Sequence, residues 1–594
     1  MRKTFILNIH VSILLKKLNR WLFLIFFCVV GLTNLNSLHA QGFLKADGTR
    51  IVDEKGQNFL IKGMGIGGWM LQEGYMFKLN KFGRQYKIME AVNKLVGPER
   101  TKEFYRLWLN NHTTKKDIDS LASWGFNTVR LPMHYRLYTL SVDEEPIKGE
   151  NTWLKEGFEL TDSLLSWCKA NHMYLILDLH ATPGGQGNDL NISDRNPDKP
   201  SLWESEANQQ KAVALWVKLA KRYKNEPNIA GYDIINEPNW GFLDSADFRG
   251  IKETKNEPLR NFMMNVTKAI RKVDRKHIIM IEGNGFGNNY RGVFPKWDDN
   301  MVMSFHKYGN FNTQEAIQYF LDEREKEQIP IWLGESGENS NTWFTEAIKL
   351  AEKNNIGWTW WQLKKIGINN PLEIKLTSSY QQLLDYWDGK VAKPQPDEAW
   401  GMLQSFALNT NIDSNIFHKD VIDAMFRQVK HPLQSKSFQQ INIQKGTLIP
   451  AINYDLGAQR IAYYDTDSAS YQYTAGVHTV GNRGYTYRND GVDIKKDGEE
   501  PYVFAMEDSE WLQYTVNASE EMEMEIFAEV RVEKNAEIGL LSVNNQQEIR
   551  VHLKLENGVW HWVPLGKLKL HKGQNILRVK VEKAGFEFKA LKFD

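Results

Sequence analysis

Short apolar runs alternate with longer amphipathic stretches along most of the chain, starting near residue 59. The short runs are rich in Ile, Val, Trp and Tyr and are apolar on both faces, which is typical of buried parallel strands. The stretches between them, such as 210–223, repeat an apolar residue every three or four positions and predict helices. The pattern predicts eight strands, at residues 59–64, 128–132, 174–180, 231–236, 277–282, 301–306, 330–335 and 356–361.

Alternating strands and helices predict a parallel sheet of the α/β class, and eight repeats over about 370 residues predict a closed (β/α)8 TIM barrel. An open, doubly wound sheet is the alternative. The sequence carries no P-loop, which disfavours that alternative.

The pattern changes after residue 432. Residues 433–445 are polar and predict a linker, and residues 446–594 contain short segments such as 522–532 and 574–581 in which apolar and polar residues alternate. Alternation with a period of two predicts an all-β sandwich, which we expect to be jelly-roll-like. The expected domains are therefore a barrel over 41–432 and a sandwich over 446–594.

The first 40 residues combine basic residues with an apolar run at 21–32 and end at Ala40. This pattern predicts a cleaved signal peptide and a secreted, periplasmic or cell-surface protein. The run of about twelve apolar residues is short of the roughly twenty that span a bilayer, so we expect no membrane span in the mature chain. An uncleaved anchor is the alternative, because the basic region is long and Leu38 is bulky.

The overall charge argues against a nucleic-acid-binding protein. Lys and Arg number 74 against 73 Asp and Glu, and five of the basic residues but none of the acidic ones lie in the first 40, so the mature net charge is −4. Two cysteines exclude a disulfide framework and a thiolate zinc cluster. Cys168, which alone remains after residue 40, lies among apolar residues at helical spacing and is expected to fill the core.

Two glutamates follow predicted strands at the same end of the expected barrel. The fourth strand ends in Asn236-Glu237-Pro238, and the seventh ends in Gly334-Glu335-Ser336. Active sites of such barrels lie at this end, and two carboxyl groups about 5 to 5.5 Å apart are what a retaining glycoside hydrolase requires. Asn-Glu-Pro also occurs at 225–227 and 256–258, but only the middle copy follows an apolar strand.

Residues 43–432 resemble glycoside hydrolase family 5, whose members are retaining (β/α)8 enzymes that act mostly on β-linked glucans and mannans. The resemblance depends on motifs in the family's order at successive strand ends. They are Asn127-Thr-Val-Arg130-Leu-Pro, Asp178-Leu-His180, Asn236-Glu237-Pro238, Ser304-Phe-His306-Lys-Tyr308, Gly334-Glu335-Ser and Trp358-Thr-Trp-Trp361.

The resemblance implies a role for each catalytic carboxylate. Glu335 is implied as the nucleophile, kept ionised by Arg130 and by a hydrogen bond from Tyr308. Glu237 is implied as the acid and then the base, and we expect the neighbouring Glu335 carboxylate to raise its pKa.

Four further residues are implied to bind or support the substrate. Asn236 is expected to hold the sugar 2-hydroxyl, His180 and His306 to bind hydroxyls or position the acid, and Trp361 to form the floor of the −1 subsite. Two histidines on one rim also fit a metal site. The other rim residues already have roles, so we expect no metal and no cofactor there.

The substrate is expected to be a β-glucan, with the linkage open between β-1,3 and β-1,4. Residues 65–75 and 178–186 resemble the exo-β-1,3-glucanase branch of the family more than its endo-β-1,4 cellulases, and the long loops at 187–208 and 283–300 favour a narrowed cleft. Exo and endo action both stay open. A β-mannanase or transglycosylase using the same carboxylates is an alternative, as is a catalytically silent glycan-binding protein. We expect a monomer.

The C-terminal residues 446–594 resemble a family 6 carbohydrate-binding module, at segments 462–467, 487–494 and 510–516. The resemblance implies that Tyr502 and Trp560 clamp a glycan and that Trp511 and Trp562 belong to the core. Two departures from the family stand at Ile452 and Lys589, where an acidic calcium ligand and a sugar-binding asparagine are common. A structural calcium ion therefore stays open, as does a module that only packs against the barrel.

Overall fold

A computed structural model of the protein describes residues 41–594 apart from 245, 468, 470–480 and 557. The signal peptide predicted at 1–40 lies outside the described residues. Among the residues that are described, every helix is too short or too polar to cross a membrane.

Eight parallel strands close into a barrel in which each strand pairs with the next and the last pairs with the first, so the predicted TIM barrel is confirmed. Predicted and observed strand ends differ by a few residues, because buried apolar residues such as Ile61 and Ile234 extend beyond the paired segments. The strands are β1 (Lys62–Gly65), β2 (Thr128–His134), β3 (Tyr174–Ala181), β4 (Ile229–Asp233), β5 (Ile278–Ile281), β6 (Met301–Lys307), β7 (Ile331–Gly337) and β8 (Gly357–Trp361).

Amphipathic helices cover the outside of the barrel and bury their apolar side chains against it. Trp216 is fully buried in this layer, and its Nε1 donates a hydrogen bond to the carbonyl of Ile234 at 3.0 Å. The main helices are α1 (Gln85–Val96), α2 (Pro98–His112), α3 (Lys115–Trp124), α4 (Lys155–Ala170), α5 (Glu206–Tyr223), α6 (Glu257–Arg271), α7 (Gln314–Glu327), α8 (Asn341–Lys353), α9 (Ser378–Trp387), α10 (Pro396–Asn409) and α11 (Lys419–Lys430).

The interior of the barrel changes from apolar to charged along its axis. Leu44 and Ile51, from a short N-terminal hairpin, share an apolar cluster with interior residues such as Ile176 and Trp332. Further along the same strands the interior positions are occupied by charged residues, because every second residue of a strand points inward. The fold therefore gathers ionisable groups at the carboxyl ends of the strands.

The C-terminal region is all β, as predicted, and consists of two six-stranded sheets around a core of aliphatic and aromatic residues. One sheet has the order β9-β14-β19-β16-β17 with β11 on β14, and the other has the order β12-β13-β20-β15-β18 with β10 on β20. The strands are β9 (Asn442–Ile443), β10 (Thr447–Pro450), β11 (Tyr463–Tyr464), β12 (Ile494–Asp497), β13 (Glu500–Val503), β14 (Trp511–Ala518), β15 (Met522–Val532), β16 (Ala536–Ser542), β17 (Gln547–Leu553), β18 (Trp560–Leu570), β19 (Gly573–Lys583) and β20 (Phe586–Phe593).

A buried ion pair between Lys364 and Asp117 supplies a test of barrel stability. The Lys364 Nζ lies 2.6 Å from Asp117 Oδ1, and both side chains are fully buried. Asp117→Asn leaves a buried ammonium uncompensated, so we expect a loss of about 3 kcal/mol in unfolding free energy. Urea denaturation followed by tryptophan fluorescence measures it.

The matched control is Asp119→Asn on the same helix, which breaks an exposed pair with Lys115. This change should cost less than about 1 kcal/mol. Equal midpoints for the two variants would contradict the role assigned to the buried pair.

Candidate active site

The guanidinium of Arg130 lies at the centre of the charged layer, on β2, and is fully buried. Its Nε and Nη2 donate to Asp233 Oδ2 at 3.0 and 2.8 Å, and Nη2 also lies 3.1 Å from Glu282 Oε1 and 3.2 Å from Asp178 Oδ2. Its Nη1 donates to Glu335 Oε1. Four carboxylates from four different strands or strand ends thus converge on one cation.

Glu237 and Glu335 face each other across the barrel mouth. An oxygen of Glu237 lies within 4.8 Å of an oxygen of Glu335. Their side chains are only 10% and 5% exposed. The spacing suits double displacement through a covalent intermediate, for which the carboxyl groups are about 5 to 5.5 Å apart, rather than direct attack by water, which needs a wider gap.

His306 changes the prediction made for the acid. Its Nδ1 is hydrogen-bonded to Glu237 Oε1 at 2.6 Å and lies 3.6 Å from Glu335 Oε2, while its Nε2 is 3.3 Å from Glu282 Oε1. Burial lowers the pKa of His306, but the surrounding carboxylates, Glu282 first, raise it well above its usual value.

The expected rise in the pKa of Glu237 is wrong for the free enzyme. Burial raises this pKa, but the hydrogen bond and charge of His306, followed by the charges of His180 and Arg130, lower it below its usual value. The hydrogen-bonded Glu237–His306 pair therefore holds the proton, mainly on the imidazole side.

Tyr308 lies beside Glu335, as the resemblance implied. Its hydroxyl donates to Glu335 Oε2 at 3.0 Å. Burial and then the Glu335 charge raise the pKa of Tyr308 well above its usual value, so the phenol stays a donor. Together with Arg130 it keeps both Glu335 oxygens paired with donors that favour the carboxylate.

His180, Asn236 and Trp361 line the other side of the site. His180 Nδ1 pairs with Asp178 Oδ2 at 2.7 Å, and although burial lowers the pKa of His180, Asp178 and Glu335 raise it to about 9. Its ring stacks on Trp361 with centroids 5.2 Å apart, and Trp361 Nε1 donates to Tyr75 Oη. Asn236 Oδ1 accepts a hydrogen bond from Arg130 at 2.8 Å.

Several carboxylates at this site were not assigned a role from the sequence, Glu282 and Glu73 among them. Glu282 follows β5, and one of its oxygens accepts the main-chain N–H of Glu237 at 2.6 Å; its position at a strand end is a signal that could have found it. Glu73 lies in the loop after β1, with its Oε1 3.8 Å from His180 Nε2. Burial, outweighing the His180 charge, raises the pKa of Glu73 to about 8.

The expectation of no metal here stays a prediction. Ligand atoms of Glu237, His306 and Glu335 lie within 4.8 Å of one another. Those atoms also pair with one another, with Arg130 and with Tyr308, so the negative charge already has cations and donors within the protein.

The sugar clamp expected in the sandwich is not formed. The rings of Tyr502 and Trp560 contact each other edge to face, with centroids 5.0 Å apart and planes at 73°, which leaves no room for a sugar ring between them. Arg531 packs over both rings and is held by Glu587.

The positions expected to be core or to differ from the binding-module family are also resolved. Trp562 is 39% exposed on β18 and Trp511 is half-buried beneath Arg578, so the expectation that both belong to the core is wrong for Trp562. Ile452 is buried, and the Lys589 ammonium pairs with Glu500.

Comparison with known proteins gives a family match inside the barrel. Residues 88–367 match the model of cellulase, glycosyl hydrolase family 5. The chain is 27% identical over 397 residues to a β-xylosidase of Phanerodontia chrysosporium, covering 61% of this chain and 79% of that protein. It is 30% identical over 200 residues to endoglucanase C of Acetivibrio thermocellus, covering 33% and 51% of the two chains. The chain thus spans about half the length of that endoglucanase.

A third relative and one solved structure complete the comparison. A glucan 1,3-β-glucosidase of Blumeria graminis is 25% identical over 267 residues, covering 44% of this chain and 58% of that one. The crystal structure of a rutinosidase from Aspergillus niger superposes with a TM-score of 0.41 at 18% identity, covering 59% and 98%.

The barrel, its two facing carboxylates and these matches define a glycoside hydrolase. Residues 88–367 are similar to glycosyl hydrolase family 5, and the relatives that the chain matches include proteins named as a glucosidase and an endoglucanase.

The raised pKa of Glu73 leads to a prediction about stability and pH. The pKa of Glu73 is about 8 in the folded protein and 4.5 ordinarily, so folding disfavours its ionisation. The folded protein therefore loses stability as the pH rises from about 4.5 to about 8. Glu73→Gln imitates the neutral acid. We expect it to raise the melting temperature relative to wild type at pH 8 and to change it little at pH 4.5.

The control is Glu54→Gln, at an exposed position in the N-terminal hairpin region. Its effect on the melting temperature should be small at both pH values. An equal effect of Glu73→Gln at pH 4.5 and pH 8 would contradict the prediction, because it would show that folding does not raise the pKa of Glu73.

Proposed function

We propose that the protein is a retaining exo-acting hydrolase of β-linked glucans, which removes sugar units from chain ends through a covalent glycosyl-enzyme. The observation that carries this proposal is the pair of buried, facing carboxylates, Glu237 and Glu335, within 4.8 Å of each other. The groups around each carboxylate supply it with a different protonation state, which is what two-step displacement needs.

In the first step, an oxygen of Glu335 attacks the anomeric carbon while the bond to the leaving oxygen breaks. Arg130 donates to one oxygen of Glu335 and Tyr308 to the other, which fixes the carboxylate for this attack. The proton held by the Glu237–His306 pair passes through Glu237 to the leaving oxygen, so the leaving sugar departs as a neutral alcohol.

In the second step, water attacks the anomeric carbon and Glu335 leaves as a carboxylate. Formation of the ester removes the Glu335 charge, which is one of the groups that raise the pKa of His306. The pair therefore binds its proton less tightly at this stage, and Glu237 is left as a carboxylate that takes the proton of the attacking water. One residue thus serves both steps.

The enclosure of the site favours exo action. An open cleft for the middle of a polymer would leave its catalytic groups accessible, whereas Glu335 and Trp361 are each 4% exposed. A groove of about 1430 Å³ lies nearby, but its lining includes neither catalytic glutamate. Trp69 and Met70 line this groove, whereas Glu73 and Tyr75, in the same loop, contact His180 and Trp361.

The β-glucan assignment is supported by relatives named endoglucanase and glucan 1,3-β-glucosidase. A β-xyloside is the second candidate, favoured by the β-xylosidase of which 79% is matched. The linkage stays open between β-1,3 and β-1,4. Defined β-1,3- and β-1,4-gluco-, manno- and xylo-oligosaccharides would separate these substrates.

Product analysis over time tests the proposed mode of action. We expect wild-type protein to release mono- or disaccharides from the start of the reaction with a gluco-oligosaccharide. With a β-glucan polymer as substrate, the average chain length should fall little over the same period. NMR of the first products should show retained anomeric configuration. Early appearance of mid-length fragments would contradict exo action, and an inverted product would contradict the covalent intermediate.

Single replacements separate the roles of the two glutamates. We expect Glu335→Gln to lower kcat by roughly 10⁴-fold or more on every substrate. Glu237→Ala should lose about 10² to 10⁴-fold on natural glycosides but still form the glycosyl-enzyme from a dinitrophenyl glycoside, whose leaving group needs no proton. Glu226→Gln, at the first Asn-Glu-Pro copy, is the control and should keep full activity.

We further propose that the protein is exported through residues 1–40. The basic region followed by a short apolar run supports this. Mass spectrometry of the protein from fractionated cells should find a mature chain that begins at Gln41. A full-length chain in the membrane fraction would favour the uncleaved anchor instead.

A further inference from the structure

The turn after β7 connects the nucleophile to helix α8 and is tightly constrained. Asn339, Ser340 and Asn341 are buried, and Glu338 has a positive φ of 51°. A Cβ placed on Gly337 would lie 2.2 Å from the carbonyl oxygen of Trp361. Gly337, the first residue of the segment 337–341 that we call the nucleophile turn, therefore lies directly against the main chain of Trp361.

The sandwich binds this turn through Asn489. The main-chain oxygen of Asn489 accepts the N–H of Asn341 at 2.9 Å, and its Nδ2 donates to the carbonyl of Asn339 at 2.7 Å. Asn489 Nδ2 also donates to Asn341 Oδ1 at 3.2 Å. One sandwich residue thus satisfies main-chain groups on both sides of Ser340.

A buried polar network supports Asn489 from both domains. Asn341 Nδ2 donates to Asp420 Oδ2 of α11 at 2.8 Å and to Asp490 Oδ1 at 3.0 Å, and the N–H of Asn489 donates to Asp420 Oδ2 at 2.9 Å. Arg488, fully buried, lies 2.7 Å from Asp490. Burial of polar groups is costly unless they are paired, and the polar atoms named here all have partners, although Asn489 Oδ1 has none. The contact is therefore a built interface rather than a loose tether.

The turn reaches the substrate side of the site through Glu338. Its carboxylate is paired with Lys365. The Glu338 charge contributes to raising the pKa values of Tyr75 and Tyr308, after burial and, for Tyr308, after Glu335. A shift of the turn would therefore move Glu338. It would also move Glu335, which lies only two positions before Gly337.

We propose that Asn489 is a positioning residue, through which the sandwich acts as a strut: its contacts hold the nucleophile turn in place. Its contribution is to the chemical step: it holds Glu335 against Arg130 and Tyr308. The inference relies on the proposed function for its activity measurements, and a measurement of hydrogen exchange is included because it does not need activity.

The first arm uses a small aryl β-glycoside, selected as a substrate of wild type, because a single sugar ring in the barrel does not extend to the sandwich. We expect Asn489→Ala to lower kcat by about tenfold or more, since small misplacements of catalytic groups have large effects, with KM nearly unchanged.

The second arm is hydrogen–deuterium exchange of the full-length chain. Peptides covering 335–345 should exchange faster in Asn489→Ala than in wild type, while peptides covering β2 and β3 should not. Asn489→Asp keeps the side-chain shape but points an acceptor at the Asn339 carbonyl, and should behave in the same way if the alanine variant does not fold. Asn545→Ala is the matched control, because Asn545 is half-buried and its Nδ2 donates to the carbonyl of Lys569 within the sandwich; it should leave both readouts unchanged.

The possible results separate the strut from other roles. Wild-type kcat and exchange in Asn489→Ala would overturn the proposal. A defect on polymer but not on the aryl glycoside would also overturn it, by showing that the sandwich acts through glycan binding. A lower melting temperature with unchanged kcat and KM would reduce the contact to a structural one. If wild type cleaves no glycoside, the proposed function fails, while the exchange arm still decides whether Asn489 holds the turn.

Discussion

The catalytic end of the barrel depends on one buried cation, the guanidinium of Arg130. Asp178, Asp233, Glu282 and Glu335 could not be gathered in a fully buried layer without it, because like charges at such distances repel strongly when water is excluded. The planar group reaches several carboxylates at once, which an ammonium could not do with the same geometry. Arg130 therefore holds Glu335 in place and also pairs with the carboxylates of Asp178, Asp233 and Glu282.

The neighbouring proton network follows from the same constraint. Glu282 contacts Arg130 and lies 3.3 Å from His306, and His306 in turn shares a proton with Glu237. The charge of the acid thus depends on carboxylates that never touch substrate. In the proposed two-step mechanism, the proton affinity of this pair would change when Glu335 forms an ester, since all these groups lie in one low-dielectric layer.

The sequence was informative where a local pattern determines structure. Eight runs that are apolar on both faces specify the barrel, and Glu237 and Glu335 were found because each follows such a run. The direction of the Glu237 pKa could not be predicted, because it depends on the 2.6 Å contact with His306, 69 residues away. Glu73 and Asn489 lie in loops, where no periodicity indicates what they contact. The Tyr502–Trp560 pair was misjudged because Arg531, from another strand, brings the two rings together.

Cys168 has a practical consequence for following the protein in solution. It is the single cysteine after residue 40, it is fully buried among the barrel helices, and burial raises its pKa well above the usual value for a thiol. A thiol reagent can reach it only when that part of the barrel opens. The rate at which Cys168 is alkylated therefore measures how often this part of the barrel opens. A cysteine introduced on the surface could be labelled specifically, because Cys168 does not react while the barrel is closed.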